Sequence, residues 1–338
     1  KKCRIFDILH NVLKLSFCLK MKGIMKKSFM FLIVIIATFL CGLTLTGLKL
    51  NNTALEDKPT ELPQPIYSYW KSNKAEISSY DLKQVRYGEI RDGHAVMIFV
   101  TEPFLPKTQV KFDGYEIEET PEEVLKLNFE RYFTTGIYQY SLMSSIFSPF
   151  TSNPNHPYKI TTSSQDWCGQ SFLQLNNRDD KFEIKSYSYF QSLGDQMISL
   201  EKNILEDELW NKIRLDYESL PIGEINIIPS TQFLRFVNSV PKAYTANAKL
   251  TVELDEESGT EIFAYNVNYI DYERTLTIYF ERDMPHKILG WEETDYQQTS
   301  NGEKNLMTTE AKLLKTLNID YWNKNSNADS IYRTELGL

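Results

Sequence analysis

Ala246, Ala248, Leu250, Val252 and Leu254 alternate with Asn247, Lys249, Thr251 and Glu253. A period of two puts the apolar side chains on one face of an extended strand and the polar ones on the other, a spacing no helix shares. The pattern returns at Phe182, Ile184, Ser186, Ser188 and Phe190, and at Leu276, Ile278 and Phe280. His94 to Glu102 is short, apolar and β-branched, as a buried strand would be. Turns are predicted at Asp92-Gly93 and over Glu257 to Thr260. Short strands joined by turns predict an all-β fold, mostly antiparallel, built as a curved sheet of the open half-barrel type. The 20 Tyr and 19 Phe suit such a sheet. Few helices are expected: one over Asn203 to Tyr217, with Ile204, Leu205, Leu209 and Ile213 on one side, and a second over Thr308 to Leu317. Glu102 and Glu281 end apolar strands, each followed four residues later by a proline, Pro106 and Pro285. That spacing hints at two similar halves, 67–200 and 220–324, within a β-rich domain 67–324 followed by a tail, 325–338.

Ahead of this domain, Met25-Lys26-Lys27 precedes an apolar run from Phe29 to Leu40 and then Cys41. A positive start followed by an apolar stretch has the layout of an export signal, and a cysteine at its end that of a lipoprotein signal. The apolar character extends through Leu43, Leu45 and Leu48, and Phe29 to Leu48 is about 20 residues, long enough to span a bilayer. Three outcomes are open: lipid attachment at Cys41, a retained signal anchor, or ordinary cleavage after the run. Each leaves the positive end cytoplasmic and exports the body, giving a periplasmic domain tethered to the inner or outer membrane. Residues 1–24 read as translated upstream sequence, 25–41 as signal or anchor, and 42–66 as a tether, polar and punctuated by proline from Asn51 to Pro65.

Removing the leader changes the charge. Of 37 basic residues eight precede residue 42, and of 45 acidic residues one does, which leaves 29 against 44 and a net charge of −15. A nucleic-acid partner needs a basic footprint, so this balance argues against one. Cys3 and Cys18 lie in the leader and Cys41 is the candidate anchor, so Cys168 is the single cysteine of the body and no intrachain disulfide is expected.

Cys168, beside Trp167, Gly169 and Gln170, is the one candidate nucleophile. It would need a histidine close in space, from His94, His156 or His286. The competing reading is a small residue in a strand, since free cysteine packs well. The histidines are scattered singly and no metal site is expected. No glycine-rich phosphate loop, dinucleotide fingerprint or Gly-x-Ser-x-Gly elbow is present, so no cofactor is expected. Arg86, Glu89, Glu102, Trp167, Gln170, Trp291 and Glu292 are candidate binding residues, as a polar ring at the mouth of a β-walled pocket. The competing reading is solvent-facing alternation with cross-strand Arg–Glu pairs. A carboxylate pair for glycoside hydrolysis would be decided by spatial separation.

Several segments resemble a family of uncharacterised Gram-negative envelope lipoproteins. They are Tyr69-Trp70, Lys74 to Tyr80, Gln84 with Arg86-Tyr87-Gly88-Glu89, Phe99-Val100-Thr101-Glu102, Phe147-Ser148-Pro149, Trp167-Cys168-Gly169-Gln170, Leu175-Asn176-Asn177-Arg178, Glu208-Leu209-Trp210 and Gly290-Trp291-Glu292-Glu293. The resemblance covers Tyr69 to Trp322. Some members carry the label "septum formation inhibitor Maf". Maf proteins are cytoplasmic nucleotide pyrophosphatases with a Ser-x-Ser-Pro-Arg-Arg motif; here Ser148-Pro149 is followed by Phe150, without the arginine pair. The resemblance implies an envelope location and supplies no activity or catalytic residues. The expectation is a non-enzymatic, membrane-tethered domain that binds an amphipathic, lipid-like envelope ligand or a partner protein. The alternatives are an envelope hydrolase using Cys168 or a carboxylate pair, and the nucleotide pyrophosphatase of the label.

Overall fold

A computed structural model describes residues 61–255, 258–299 and 301–338. The export signal, Cys41 and most of the tether lie outside the described residues. The chain divides into two units, 1–58 and 59–338, and the described residues all belong to the second.

Sixteen strands form one sheet. The first run is β1 (Ala75–Arg86), β2 (Glu89–Leu105), β3 (Val110–Lys111), β4 (Glu122–Thr135), β5 (Tyr138–Pro149), β6 (Lys159–Asp166), β7 (Gly169–Asn177), β8 (Lys181–Ser188) and β9 (Gln196–Glu201). The second is β10 (Ile204–Leu205), β11 (Gly223–Ile228), β12 (Tyr244–Leu254), β13 (Glu261–Tyr269), β14 (Arg274–Glu281), β15 (Ile288–Gln298) and β16 (Lys304–Ile319). Neighbours in sequence are neighbours in the sheet except β9 and β10, which do not pair, and β3, which lies outside the main path on β2; in addition β16 pairs with β1. Pairing is antiparallel save for β10 with β11. The expectation of a mostly antiparallel, all-β open sheet therefore holds.

The two sheet edges are β9 and β10. Only Lys202 and Asn203 separate them in sequence. A link of that length reaches about 10 Å, so the sheet curls until its edges approach at one end. Helix α1 (Gln64–Trp70) precedes the sheet. After β10 the chain turns inward. Glu206–Glu208 forms a short 3₁₀ turn and runs into helix α2 (Leu209–Asp216); α3 (Thr231–Phe236) follows β11. Leu209, Trp210, Ile213 and Leu215 of α2 join Phe99, Leu127, Phe129 and Trp291 of the sheet in one core cluster. Trp291 lies edge-on to Tyr80, Phe129 and Trp210, with ring centroids 5.0, 5.1 and 5.6 Å away, geometry that aromatic pairs favour.

Five expectations need correction. Thr308 to Leu317 is not a helix but part of β16: wedged between β15 and β1, its backbone completes two ladders, and that outweighs the helix propensity of its Ala, Leu and Lys. The helix expected from Asn203 begins only at Leu209, because Ile204 and Leu205 pair with β11. Asp92-Gly93 lies within β2; the turn is Tyr87-Gly88. A Cβ on Gly93 would sit 2.2 Å from the Tyr132 carbonyl oxygen, so this glycine marks a close backbone approach and not a reversal. The end of the predicted tether is folded as well: Leu62 is buried, and Pro65 in the first turn suits the start of α1. The predicted tail ends in α4 (Ile331–Glu335), and Leu336 beyond it packs on Ala75, Ile77, Val96 and Val100. Of the duplicated prolines, Pro285 lies between β14 and β15, while Pro106 follows β2.

Candidate functional site

The segment inside the sheet is unusually charged for a core: Glu206 and Arg214 pair with distant strands, while Asp207, Glu208 and Lys212 bond Thr231, His156 and the Pro154 carbonyl. Glu206 binds Arg274 of β14, with Nη2 to Oε1 at 2.8 Å, and accepts from the Tyr269 hydroxyl of β13. Arg214 of α2 forms a two-pronged pair with Glu76 of β1, whose second oxygen also accepts from Tyr69. Burial alone would push the Glu76 carboxyl up; the Arg214 guanidinium holds it below the usual carboxylate range. Arg131 of β4 pairs with Glu293 of β15 at 2.5 Å. Asn211 donates to the Leu125 carbonyl and to Ser148. Asp207 is buried and accepts only from the Thr231 side in this network, with its backbone N at 2.9 Å; burial raises its pKa to about 7. Buried ions without such partners would be strongly destabilising.

A cleft opens where the sheet lacks strand-to-strand closure. Its walls are the inner face of β6–β9 and, opposite, α3 with the segment that follows it to Pro241. The sheet wall carries Thr162, Ser171, Ser186 and Ser188, small side chains that leave room; Leu173, Leu193 and Leu234 supply apolar surface. The cleft's free volume is about 40 Å³, room for a few waters, and it opens to the solvent, so a larger ligand would lie along its mouth or part the lining side chains. Ser230 caps α3 by accepting from the Phe233 N–H at 3.1 Å, which fixes the helix start. Thr231 is tied to Thr162, and Thr162 to Ser144 at 2.7 Å. Arg235 is 7% exposed and lines the cleft. It bonds Asp166 at 3.3 Å and Asn238 at 3.1 Å, lies 4.7 Å from the Phe190 ring centroid, and leaves its Nε buried without a partner. The arrangement offers one cation, a row of hydroxyls and a leucine wall, which suits a ligand with a polar head and an apolar body.

The residues singled out from sequence do not form one ring. Arg86 and Glu102 lie towards opposite ends of the β1–β2 pair. Arg86 donates to the Phe236 carbonyl at 2.7 Å and stacks on Tyr87 and Tyr140. Glu89 pairs with Arg91 in solvent, and Glu102 with Lys126 at 2.8 Å. Trp291 is wholly buried in the core, while its neighbour Glu292 faces outward into an acidic concavity with Glu253, Glu310 and Tyr279. Trp167, Cys168 and Gln170 cluster at the β6–β7 turn, beside Asp166 and hence near Arg235. Cys168 is exposed, and hydrogen bonding to the Asp166 carboxylate pushes its thiol pKa up, the wrong direction for a nucleophile. The histidines are engaged elsewhere: His94 stacks on Tyr132, His156 binds Glu208 at 2.8 Å, and His286 lies against Tyr217. No group of three metal-binding side chains occurs among the described residues.

Sequence reasoning missed Arg235 and the serine wall. The available signal was Ser186 and Ser188 falling on the apolar parity of the Phe182–Ile184 strand: small polar residues at core positions leave space. No family model matches the chain, and no curated protein or solved structure is detectably similar to it.

Proposed function

We propose that this chain is a membrane-tethered, exported envelope protein that binds an amphipathic ligand without transforming it. The ligand's polar head lies against Arg235 and the hydroxyls of Ser171, Ser186 and Ser188, and its apolar part against Leu173, Leu193 and Leu234. The cleft at the sheet's open seam is the observation that carries this reading. The leader Met25–Cys41 supports export, and the net charge of −15 on the remainder speaks against nucleic acid. The raised thiol pKa of Cys168 supports binding over hydrolysis. Native mass spectrometry on the full chain, purified in mild detergent from an envelope-bearing host, tests it. A reproducible added mass of lipid size is expected, and it should be lost in Ser186→Trp, which fills the cleft, while circular dichroism stays unchanged. A bound mass unaffected by that substitution, or none even after incubation with envelope lipid extract, would overturn the assignment.

A further inference from the structure

Successive residues of a strand face opposite sides of the sheet, so Ser171, Ser186 and Ser188 turn inward to the cleft while their chain neighbours turn outward. On that outer face the register sets side chains in rows. Gln165 stands opposite Gln170, and Phe172 opposite Tyr187. Tyr189, just past the end of β8, continues the line two residues beyond Tyr187. Phe172 is 39% exposed, Tyr187 45% and Tyr189 71%. With Gln165, Gln170 and Asp195 these rings line an open groove whose free volume is about 620 Å³, within the range of small-molecule sites. Tyr189 is exposed yet fixed. A Cβ on Gly169, at φ +154°, would sit 2.9 Å from the Tyr189 Cγ, so the ring lies where only glycine leaves room. Phe190 meets that ring edge-on at 5.6 Å, and the Arg235 guanidinium lies 4.7 Å from the Phe190 centroid behind it. A ring held in place gives up little freedom when something stacks on it. Both glutamines are exposed, and among the described residues neither side chain has a hydrogen-bond partner.

We infer that this outer groove binds the sugar rings of an uncharged glycan, a site separate from the cleft on the other face. A pyranose ring has two apolar C–H faces and a rim of hydroxyls, each both donor and acceptor. Tyr and Phe rings present a negative face to which C–H groups are drawn. A glutamine amide offers two donors and one acceptor in a single plane, which matches neighbouring hydroxyls on one rim. The Asp195 carboxylate accepts strongly from a hydroxyl. Phe172 and Tyr187 are cross-strand partners, with Cβ atoms about 5 Å apart, and Tyr189 lies about 7 Å further along the strand. That platform is longer than one sugar ring, so the ligand is an oligomer. Other classes fit the lining less well. A lipid chain would leave the Gln165 and Gln170 amides dry and unpaired, at a cost of roughly 1–3 kcal/mol each on the mutational scale. A phosphate-bearing chain would meet Asp195 and no lysine or arginine, since none lines the groove. A protein partner needs an apolar centre shielded by a polar rim, whereas rings and amides alternate here.

The test titrates the full chain with chitotetraose and with cellotetraose by calorimetry, in a detergent without a sugar headgroup. Saturable binding of at least one tetramer is expected. Tyr189→Ala should weaken it about 3- to 10-fold, the loss of one stacked ring. The double variant Gln165→Ala/Gln170→Ala should weaken it as well, and both variants should melt as wild type does, because the side chains removed are exposed. Ser186→Trp, which fills the cleft on the inner face, should leave sugar binding unchanged. Absence of saturable heat with either tetramer up to millimolar concentrations would overturn the inference. So would an affinity indifferent to Tyr189→Ala and to the glutamine pair. Binding lost in Ser186→Trp would place the sugar in the cleft and refute the outer site. Tighter binding of tetragalacturonate than of either neutral tetramer would refute the uncharged class.

Discussion

Glu206→Ala tests whether the interior is packed and dry. The Arg274 guanidinium is fully buried and the Tyr269 hydroxyl is buried beside it; Glu206 is the carboxylate that serves both. Removing one partner of a buried pair leaves the other charge uncompensated, at a cost of about 3–5 kcal/mol. The orphaned hydroxyl adds about 1 kcal/mol or more. At roughly 2–4 °C per kcal/mol for a domain of this size, the melting temperature should fall by at least ~8 °C. Far-UV circular dichroism in mild detergent reads this. The double variant Glu206→Leu/Arg274→Met removes both charges and should recover most of the loss, because replacing a buried pair by apolar residues is often neutral or stabilising. A single variant no worse than the double, with a loss under ~1 kcal/mol, would refute the reasoning. It would mean that water reaches Arg274 and that the interior around α2 is a solvated cavity instead of a plug.

Asp207 gives a pH signature. Its folded pKa, about 7, lies above the ordinary value, so the folded state holds a proton that the unfolded state has lost, and stability falls as pH rises through the window up to about 7. Asp207→Asn should abolish that slope and be the more stable form above pH 7, by on the order of 4 kcal/mol, in melts across pH. Glu76 and Glu293, both held low by arginines, act oppositely: their contribution is present above the ordinary carboxylate range and is lost on acidification below it. Gly93→Ala would place a methyl 2.2 Å from the Tyr132 carbonyl oxygen and should cost about 1–3 kcal/mol in urea unfolding, although alanine has the better strand propensity. Cys168 should react with a small thiol reagent more slowly than a free thiol at neutral pH, and Asp166→Asn should accelerate it; Cys168→Ser should leave the bound mass unchanged.

The strands that are legible in sequence are those with one wet face. β14 alternates as written because one face packs inward, and β12 does so through Leu250, beyond which Val252 and Leu254 are exposed. The start of β1 is buried on both faces, since Leu336 and its neighbours cover the outer one, and no alternation survives there. The plug is illegible for a different reason. Glu206, Asp207, Glu208 and Arg214 fall in the expected helix Asn203 to Tyr217, where they read as its charged face, and Arg235 stands outside every expected element. The burial of Glu206, Arg214 and Arg235 depends on Arg274, Glu76 and Asp166, between 68 and 138 residues away along the chain, while Asp207 and Glu208 meet Thr231 and His156, 24 and 52 residues away, and no local pattern reports such partners. Trp291 and Glu292 read in sequence as one feature, yet adjacent strand residues face opposite sides, so one enters the core and the other the surface.

The same charged contacts explain why the sheet stops short of closing. Arg214 ties α2 to β1, Asn211 ties it to β4 and β5, and Glu206 ties its preceding turn to β14. Arg235 ties α3 to β6, and Gln232 ties it to the Phe129 carbonyl of β4 at 3.0 Å. The plug is therefore fastened to both runs of the sheet, and its thickness sets the curvature. A sheet free to relax would bring β9 against β11 and satisfy the strand groups both leave open, since unpaired edges are a standing liability. With α3 and the chain up to Pro241 standing between β9 and β12, that closure is blocked, and the space left beside the serine wall is the cleft. The polar interior thus maintains the opening beside α3, and the Asp166–Arg235 pair ties the cleft wall to the β6–β7 turn.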